Sequence, residues 1–359
     1  MGEQPHTEPA IVDPRATSSF ETSGPPQWAT VFEVLQRDVG GYAFVVLRNG
    51  TVEASGAWGY ARMPQDTPGG TGVPFTVDTR MTLASVSKTV TATALFALVA
   101  DGQIPSVNEP FWPYLAKVMW GVTPGPGVTT VTMGELLTMV SRLPENGTLY
   151  TFSETSTEFV AKYLENSAVI PTQGYVYSNT NFTILQEVIA AITGGSGVQG
   201  YVDWVETAIL QPFNVDVGVF NDVPDDASTG TLTYNPKDPK GFGYWWPQMQ
   251  CVGAGGWIGS AATVATYLAG VSSGVVIPKP LSHFMMQQLF GWYHAGTVDG
   301  VAFHHNGDVT HNGNGLSTGV VHFPDGSDAV LLTNAYRPGI IELMVRAYQT
   351  RGPVQTATT

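Results

Sequence analysis

The run Met81-Thr82-Leu83-Ala84-Ser85-Val86-Ser87-Lys88-Thr89-Val90 continues as an apolar stretch to Ala100 and is closed by Asp101-Gly102. From Val86 to Ala100 almost every residue is apolar or small, which predicts a buried helix. Burying the ammonium of Lys88 is costly unless it finds partners. Positions i and i+3 share a helix face, so Lys88 points where Ser85 points. A buried amine beside a hydroxyl at a helix N-terminus supplies what a serine nucleophile needs: a base, and positive electrostatics for an oxyanion. Ser-x-x-Lys alone arises by chance about once in a chain of this length, so the pair needs company elsewhere.

The 359 residues allow one large domain or two intimately joined ones, and a 43% hydrophobic composition can build a sizeable core. Only 12% of residues are charged, below the usual quarter or so. Acidic residues outnumber basic ones 29 to 15, for a net charge of -14, which argues against nucleic acid or an anionic membrane as partner. Cys251, the single cysteine, allows no internal disulfide and reads as a buried inert thiol. No segment is long and apolar enough to span a bilayer. Residues 1–27 read as a flexible lead-in without the basic and apolar regions of a signal peptide. A cytoplasmic location and secretion with the signal removed both stay open, as does the oligomeric state.

After a helix over residues 28–38, residues 42–47 and 52–60 read as strands joined through Arg48-Asn49-Gly50, a strong hairpin signal. Residues 63–78 read as loop. Helices are expected over 132–140, 156–165, 180–193, 202–210, 260–269 and 280–290. The chain then returns to strands at 301–305, 316–323 and 329–334, before a last helix over 339–351. Strands at both ends with helices between predict an α+β fold: one antiparallel sheet built from both termini, flanked by helices, with a mostly helical insert. The expected division is a sheet domain of 28–100 with 251–359, and a helical domain of 101–250, the active site lying between them.

Two further elements accompany Ser85 and Lys88. Tyr177-Ser178-Asn179 stands just ahead of an apolar helix, where a loop tyrosine can reach into a cleft. A nearby ammonium favours a phenolate, which can accept a serine proton, although a ring packed in the core is the commoner use of a lone tyrosine. His305-Asn306-Gly307 ends the strand 301–305, and a glycine there lets substrate lie against the backbone. The next amide, on Asp308, can serve as an oxyanion donor.

Ser-x-x-Lys, then Tyr-x-Asn, then His-x-Gly on a late strand resembles the penicillin-recognising serine hydrolases. The nearest branch holds class C β-lactamases, D,D-peptidases and family VIII carboxylesterases. The similarity runs from about Gly41 to Asn334. It includes Thr132-Met133-Gly134-Glu135-Leu136-Leu137, Gly255-Gly256-Trp257-Ile258-Gly259-Ser260 and Val330-Leu331-Leu332-Thr333-Asn334. The resemblance implies Ser85 as the acylated nucleophile and Lys88 as the buried lysine that activates it. It implies Tyr177 as general base and proton relay, and Asn179 as the amide that orients Lys88 and substrate. His305 to Gly307 would stand where relatives have Lys-Thr-Gly, with the amides of Ser85 and Asp308 as oxyanion hole. No cofactor and no metal are expected.

The chain departs from that pattern in places. Met139-Val140-Ser141-Arg142-Leu143-Pro144 stands where many relatives have His-Thr-Ser-Gly-Leu-Pro, so Arg142 is expected to alter the cleft wall. His311-Asn312-Gly313 repeats the third motif; His305 is preferred because a strand precedes it. Tyr244, Trp245 and Trp257 are weighed as an apolar substrate wall against plain core. Gly270-Val271-Ser272-Ser273-Gly274 matches the nucleophile-elbow pattern but follows a helix, so it reads as a helix end. His304, His305, Asp308 and His311 fit no standard zinc spacing. The glycines of 253–259 lack a Walker lysine and read as tight packing rather than a phosphate cradle.

Acyl transfer through a serine ester is the chemistry these elements share. Between Lys240 and Arg337 the sole lysine or arginine is Lys279, so a substrate carboxylate finds little to bind. An uncharged ester with an apolar acyl group fits best, as in a carboxylesterase. A D-amino-acid peptidase, amidase or transacylase is the alternative, then a β-lactamase. A catalytically silent binding protein of the same fold is the reading from outside the enzymes.

Overall fold

The computed structural model describes residues 40–145, 154–213, 231–235, 238–243 and 250–350, with 21–23, Trp28 and Leu35. The main sheet contains β1 (Glu21–Ser23), β2 (Gly41–Arg48), β3 (Thr51–Arg62), β4 (Tyr293–Thr297), β5 (Gly300–His311), β6 (Asn314–His322) and β7 (Ser327–Thr333). Their order across the sheet is β1-β3-β2-β7-β6-β5-β4, all antiparallel. The two ends of the chain therefore meet at the β2–β7 seam, where Tyr42 faces Thr333 and Arg48 faces Ser327.

Strand β2 shows why that seam holds. Its apolar run does not alternate with polar residues, because the sheet is covered on both faces. Ala43, Val45 and Leu47 join the large core under the helices, while Tyr42, Phe44 and Val46 join a second core. The second core is capped by Trp28, Leu35 and the C-terminal helix, through Ile340, Ile341, Met344, Ala347 and Tyr348.

Besides a single helical turn at Trp112–Leu115, the helices among the described residues are α1 (Ser87–Ala100), α2 (Met133–Leu137), α3 (Ser156–Asn166), α4 (Asn179–Ile192), α5 (Gly197–Val205), α6 (Ala261–Ser273), α7 (Lys279–Gln287) and α8 (Ile340–Gln349). Capping boxes start α2 at Thr132, α3 at Thr155 and α6 at Ser260. Helix α1 is buried along almost its whole length, and its threonines bond inside the core. Thr89 and Thr93 donate to the carbonyls of Val86 and Thr89 at 2.8 and 2.9 Å, so no buried hydroxyl there is left costly. No helix among the described residues is long and apolar enough to cross a membrane.

Several boundaries differ from the sequence reading. Strand β5 runs on to His311, so the third motif lies inside a strand rather than at its end. Strand β4 is an element the sequence reading did not identify, and Val73–Pro74 forms a short strand in the 63–78 loop. Helix α2 stops at Leu137 because Met139 takes a left-handed φ of 61°. Helix α5 starts earlier than expected and passes into a π-helical turn, Glu206–Leu210. The expected 28–38 helix lies mostly outside the described residues, though Trp28 and Leu35 are helical and buried.

Asn334 ties the seam together. Its Oδ1 accepts from the Gly41 amide at 2.7 Å, and its Nδ2 donates to the carbonyls of Tyr60 and Ala61 at 3.0 and 3.3 Å, all buried. Asn334→Ala strands a buried amide and a buried carbonyl, at a cost of about 1–3 kcal/mol each. A denaturant titration is expected to show the full loss with little change in m-value, and Asn334→Asp, which keeps the acceptor, to recover part of it.

Candidate active site

Ser85 sits in a 3-10 turn, Ala84–Val86, that feeds directly into α1. The residue before it, Ala84, is held at φ 45°, a left-handed conformation that is strained for alanine. Thr318 on β6 braces the turn by donating to the Leu83 carbonyl at 2.7 Å. On the other side the Leu83 amide donates to the Trp257 carbonyl at 2.8 Å.

Lys88, one turn on, is wholly buried. Its ammonium donates to Ser85 Oγ at 3.1 Å, Asn179 Oδ1 at 2.7 Å and the Ala254 carbonyl at 2.6 Å. Three donors thus meet three acceptors, all neutral. The rings of Tyr177 and Phe182 lie 5.0 and 5.5 Å from the same nitrogen, within cation–π range. Tyr177 Oη is 2.6 Å from Ser85 Oγ. A hydroxyl, an amine and a phenol from two distant segments therefore share one hydrogen-bonded cluster.

Tyr177 ends the loop before α4, and Asn179 is the first residue of that helix. The loop is braced by the segment after α2: the amides of Val176 and Ser178 donate to the Met139 carbonyl and Sδ at 3.0 and 3.4 Å. Arg142 adopts φ 60°, the backbone shape glycine favours. Its guanidinium turns to Glu135 Oε1 at 2.6 Å, the same carboxylate whose Oε2 caps α2.

The third motif brings β5 against the serine. A Cβ on Gly307 would lie 2.8 Å from the Ser85 amide nitrogen, 2.6 Å from the Leu83 carbonyl oxygen and 2.5 Å from Thr318 Oγ1. Only glycine lets the strand approach this closely. His305 is buried, and its Nδ1–H donates to the Asn306 carbonyl at 2.8 Å. Burial first, then the Lys88 charge, push its pKa down to about 3, so the imidazole is neutral in ordinary buffers. Asp308 is exposed, and its carboxylate accepts from Asn306 Nδ2 at 2.6 Å and Ser317 Oγ at 2.5 Å. His311, by contrast, pairs with Asn314 at the far end of the hairpin.

Trp257 corrects one expectation. It is wholly buried, with its indole N–H donating to Tyr201 Oη at 3.0 Å and its ring tilted against that phenol, so it has no face to offer a substrate. Tyr244 and Trp245 lie outside the described residues. Ser272 is inside α6, donating to the Ala269 carbonyl and to Asp328, and Gly274 caps the helix at φ 90°. Among the described residues no group of three or more His, Cys, Asp or Glu side chains converges to hold a metal.

Other neighbours carry little or no sequence signal. The Ala254 carbonyl that holds Lys88 belongs to the turn Val252–Gly256. Gly253 in that turn is clamped from both sides: Gln186 Oε1 accepts from its amide at 2.9 Å and Thr91 Oγ1 donates to its carbonyl at 2.7 Å. Tyr293 on β4 lies with its ring tilted against His305, ring centres 5.1 Å apart, and its phenol bonds that of Tyr175 at 2.9 Å. Burial, the Tyr175 hydrogen bond and the proximity of Tyr175 and Tyr177 raise its pKa, so it stays protonated.

A serine turn opening a buried helix, beside an antiparallel sheet drawn from both chain ends, defines a class of serine hydrolases. The chain belongs to one family of that class: the Beta-lactamase family model matches residues 13–343. Among solved structures it is similar to a D-amino acid amidase from Ochrobactrum anthropi SV3 complexed with L-phenylalanine, at 18% identity and TM-score 0.69, covering 90% of this chain and 98% of that one. An octameric penicillin-binding protein homologue from Pyrococcus abyssi matches at 19% identity and TM-score 0.68, covering 90% and 76%. A class C beta lactamase from Rhodobacter sphaeroides matches at 18% identity and TM-score 0.66, covering 90% and 97%. These likenesses carry the fold. No curated protein matches the sequence at a significant level.

The neutral His305 has a consequence for stability. An unfolded histidine takes up a proton near pH 6.5 that the folded chain refuses until about pH 3. The stability tied to this residue is therefore complete above pH 6.5 and is lost as pH falls toward 3. Urea midpoints measured across that range are expected to fall less steeply for His305→Gln than for the parent chain.

Proposed function

We propose that this chain is a serine acyl hydrolase that turns over uncharged carboxylic esters through an acyl-enzyme on Ser85. The observation that carries the reading is the cluster in which Ser85 Oγ lies 2.6 Å from Tyr177 Oη and 3.1 Å from Lys88 Nζ. In the acylation step Ser85 Oγ bonds to the ester carbonyl carbon and its proton passes to Tyr177 Oη in its deprotonated form, beside the Lys88 ammonium. The amides of Ser85 and Asp308 hold the developing oxyanion, and Gly307 permits the approach. The carbon–oxygen bond to the alcohol then breaks, and the alcohol leaves with the proton returned through Tyr177. Water repeats the sequence on the acyl-serine, releasing the carboxylic acid and restoring the hydroxyl. Asn179 and the Ala254 carbonyl keep Lys88 pointed at the serine throughout.

The preference for uncharged substrates follows from the third motif. His305 is buried and neutral, and the exposed group beside Gly307 is the carboxylate of Asp308. A substrate carboxylate would meet repulsion there, strengthened by the net charge of -14. The same exposed carboxylate favours a second reading, a D-amino-acid amide whose free ammonium pairs with Asp308.

Purified protein offered ethyl butyrate, D-alanine amide and nitrocefin distinguishes these cases. The ester is expected to have the highest kcat/KM, falling at least ~10³-fold in Ser85→Ala and about 10²–10⁴-fold in Tyr177→Phe. Faster turnover of the amide would replace the first reading with the second. Faster turnover of nitrocefin would contradict both.

A further inference from the structure

Tyr175 and Tyr293 join from two different parts of the fold. Tyr175 lies in the loop before α4 and is 55% exposed, while Tyr293 opens β4 beside the third-motif strand. Their hydroxyls are 2.9 Å apart. The Tyr293 ring is anchored at its back by His305, 5.1 Å away, and by His304, 5.9 Å away. The Tyr175 loop is anchored in turn where the Val176 amide bonds the Met139 carbonyl at 3.0 Å. The bond is therefore a strap with both ends fixed.

The strap stands on one side of the serine. Gly307 and its strand approach Ser85 at its amide nitrogen, where the oxyanion is held. Tyr177 approaches Ser85 at its hydroxyl, and Tyr175 precedes it by two residues on the same loop. In a tetrahedral intermediate the departing oxygen must face the group that returns its proton. With the oxyanion turned to the amides, the departing alcohol faces Tyr177, and the strap begins two residues before Tyr177 on the same loop.

We infer that the Tyr175–Tyr293 pair walls the leaving-group side of the site and restricts it to esters of small alcohols. The inference rests on the proposed acyl transfer at Ser85. Both tyrosines determine specificity by bulk and by their mutual hydrogen bond, and neither takes part in the proton transfers. The acyl portion of the substrate lies away from them, so the strap leaves acyl-chain preference alone.

The test compares two substrate series on the full chain. One varies the alcohol, with ethyl and cyclohexyl butyrate; the other varies the acid, with ethyl acetate through ethyl hexanoate. In Tyr175→Ala the cyclohexyl-to-ethyl ratio of kcat/KM is expected to rise at least ~10-fold, the size of effect that one pocket wall can exert. The acyl series is expected to keep its profile. Tyr293→Phe keeps the ring on His305 but removes the hydrogen bond, and is expected to move the ratio in the same direction by less. An unchanged ratio in both variants, a uniform loss across both series, or a shifted acyl profile would overturn the inference while leaving the proposed reaction standing. Failure of the parent chain to hydrolyse any of these esters faster than Ser85→Ala overturns the proposed reaction and the inference together.

Discussion

Everything at the site depends on keeping one ammonium in a place without water. Desolvation makes a buried lysine expensive, and the chain meets the cost with three neutral acceptors on three separate segments: Ser85, Asn179 and the Ala254 carbonyl. A carboxylate partner would have neutralised the charge. Neutral acceptors leave its field directed at the serine and the phenol. The surrounding architecture follows from this choice. Helix α4 must deliver Asn179, the turn Val252–Gly256 must deliver a carbonyl, and both are fastened to α1 by Gln186 and Thr91 through Gly253.

The second constraint is close backbone approach. Strand β5 can lie against the Ser85 turn only because position 307 has no Cβ. The turn itself needs a left-handed Ala84, and the segment bracing Tyr177 needs left-handed Met139 and Arg142. Such backbone costs of order 1–3 kcal/mol per residue, and these positions cluster around Ser85 and the loop that carries Tyr177. Arg142 shows how a residue is tolerated where glycine would be easier: its side chain finds Glu135, and the pair reinforces the cap of α2.

Much of the fold was legible in the sequence because its signals are local and strong. The Asn49-Gly50 turn, the apolar run of β2 and the long apolar helix each announce themselves, and the β-lactamase-like sheet from both termini follows. Ser85, Lys88, Tyr177 and Asn179 could be picked out because side chains carry their chemistry in their names. Three kinds of feature could not. The Ala254 carbonyl is backbone and has no letter. Trp257 reads the same whether it lines a crevice or fills the core, and only its contact with Tyr201 decides. Tyr293 sits on a short strand whose Tyr-His-Ala-Gly-Thr has no clear alternation, so its place beside His305 depends on pairing with β5.

The central claim is that the buried amine and the phenol activate Ser85. Its most direct measurement is the rate and position of labelling by a fluorophosphonate, read as a mass shift mapped to a peptide. The account predicts a single adduct on Ser85, formed far more slowly in Lys88→Met although that variant stays folded by circular dichroism. An adduct on another residue, or equal labelling rates with and without the amine, would contradict it.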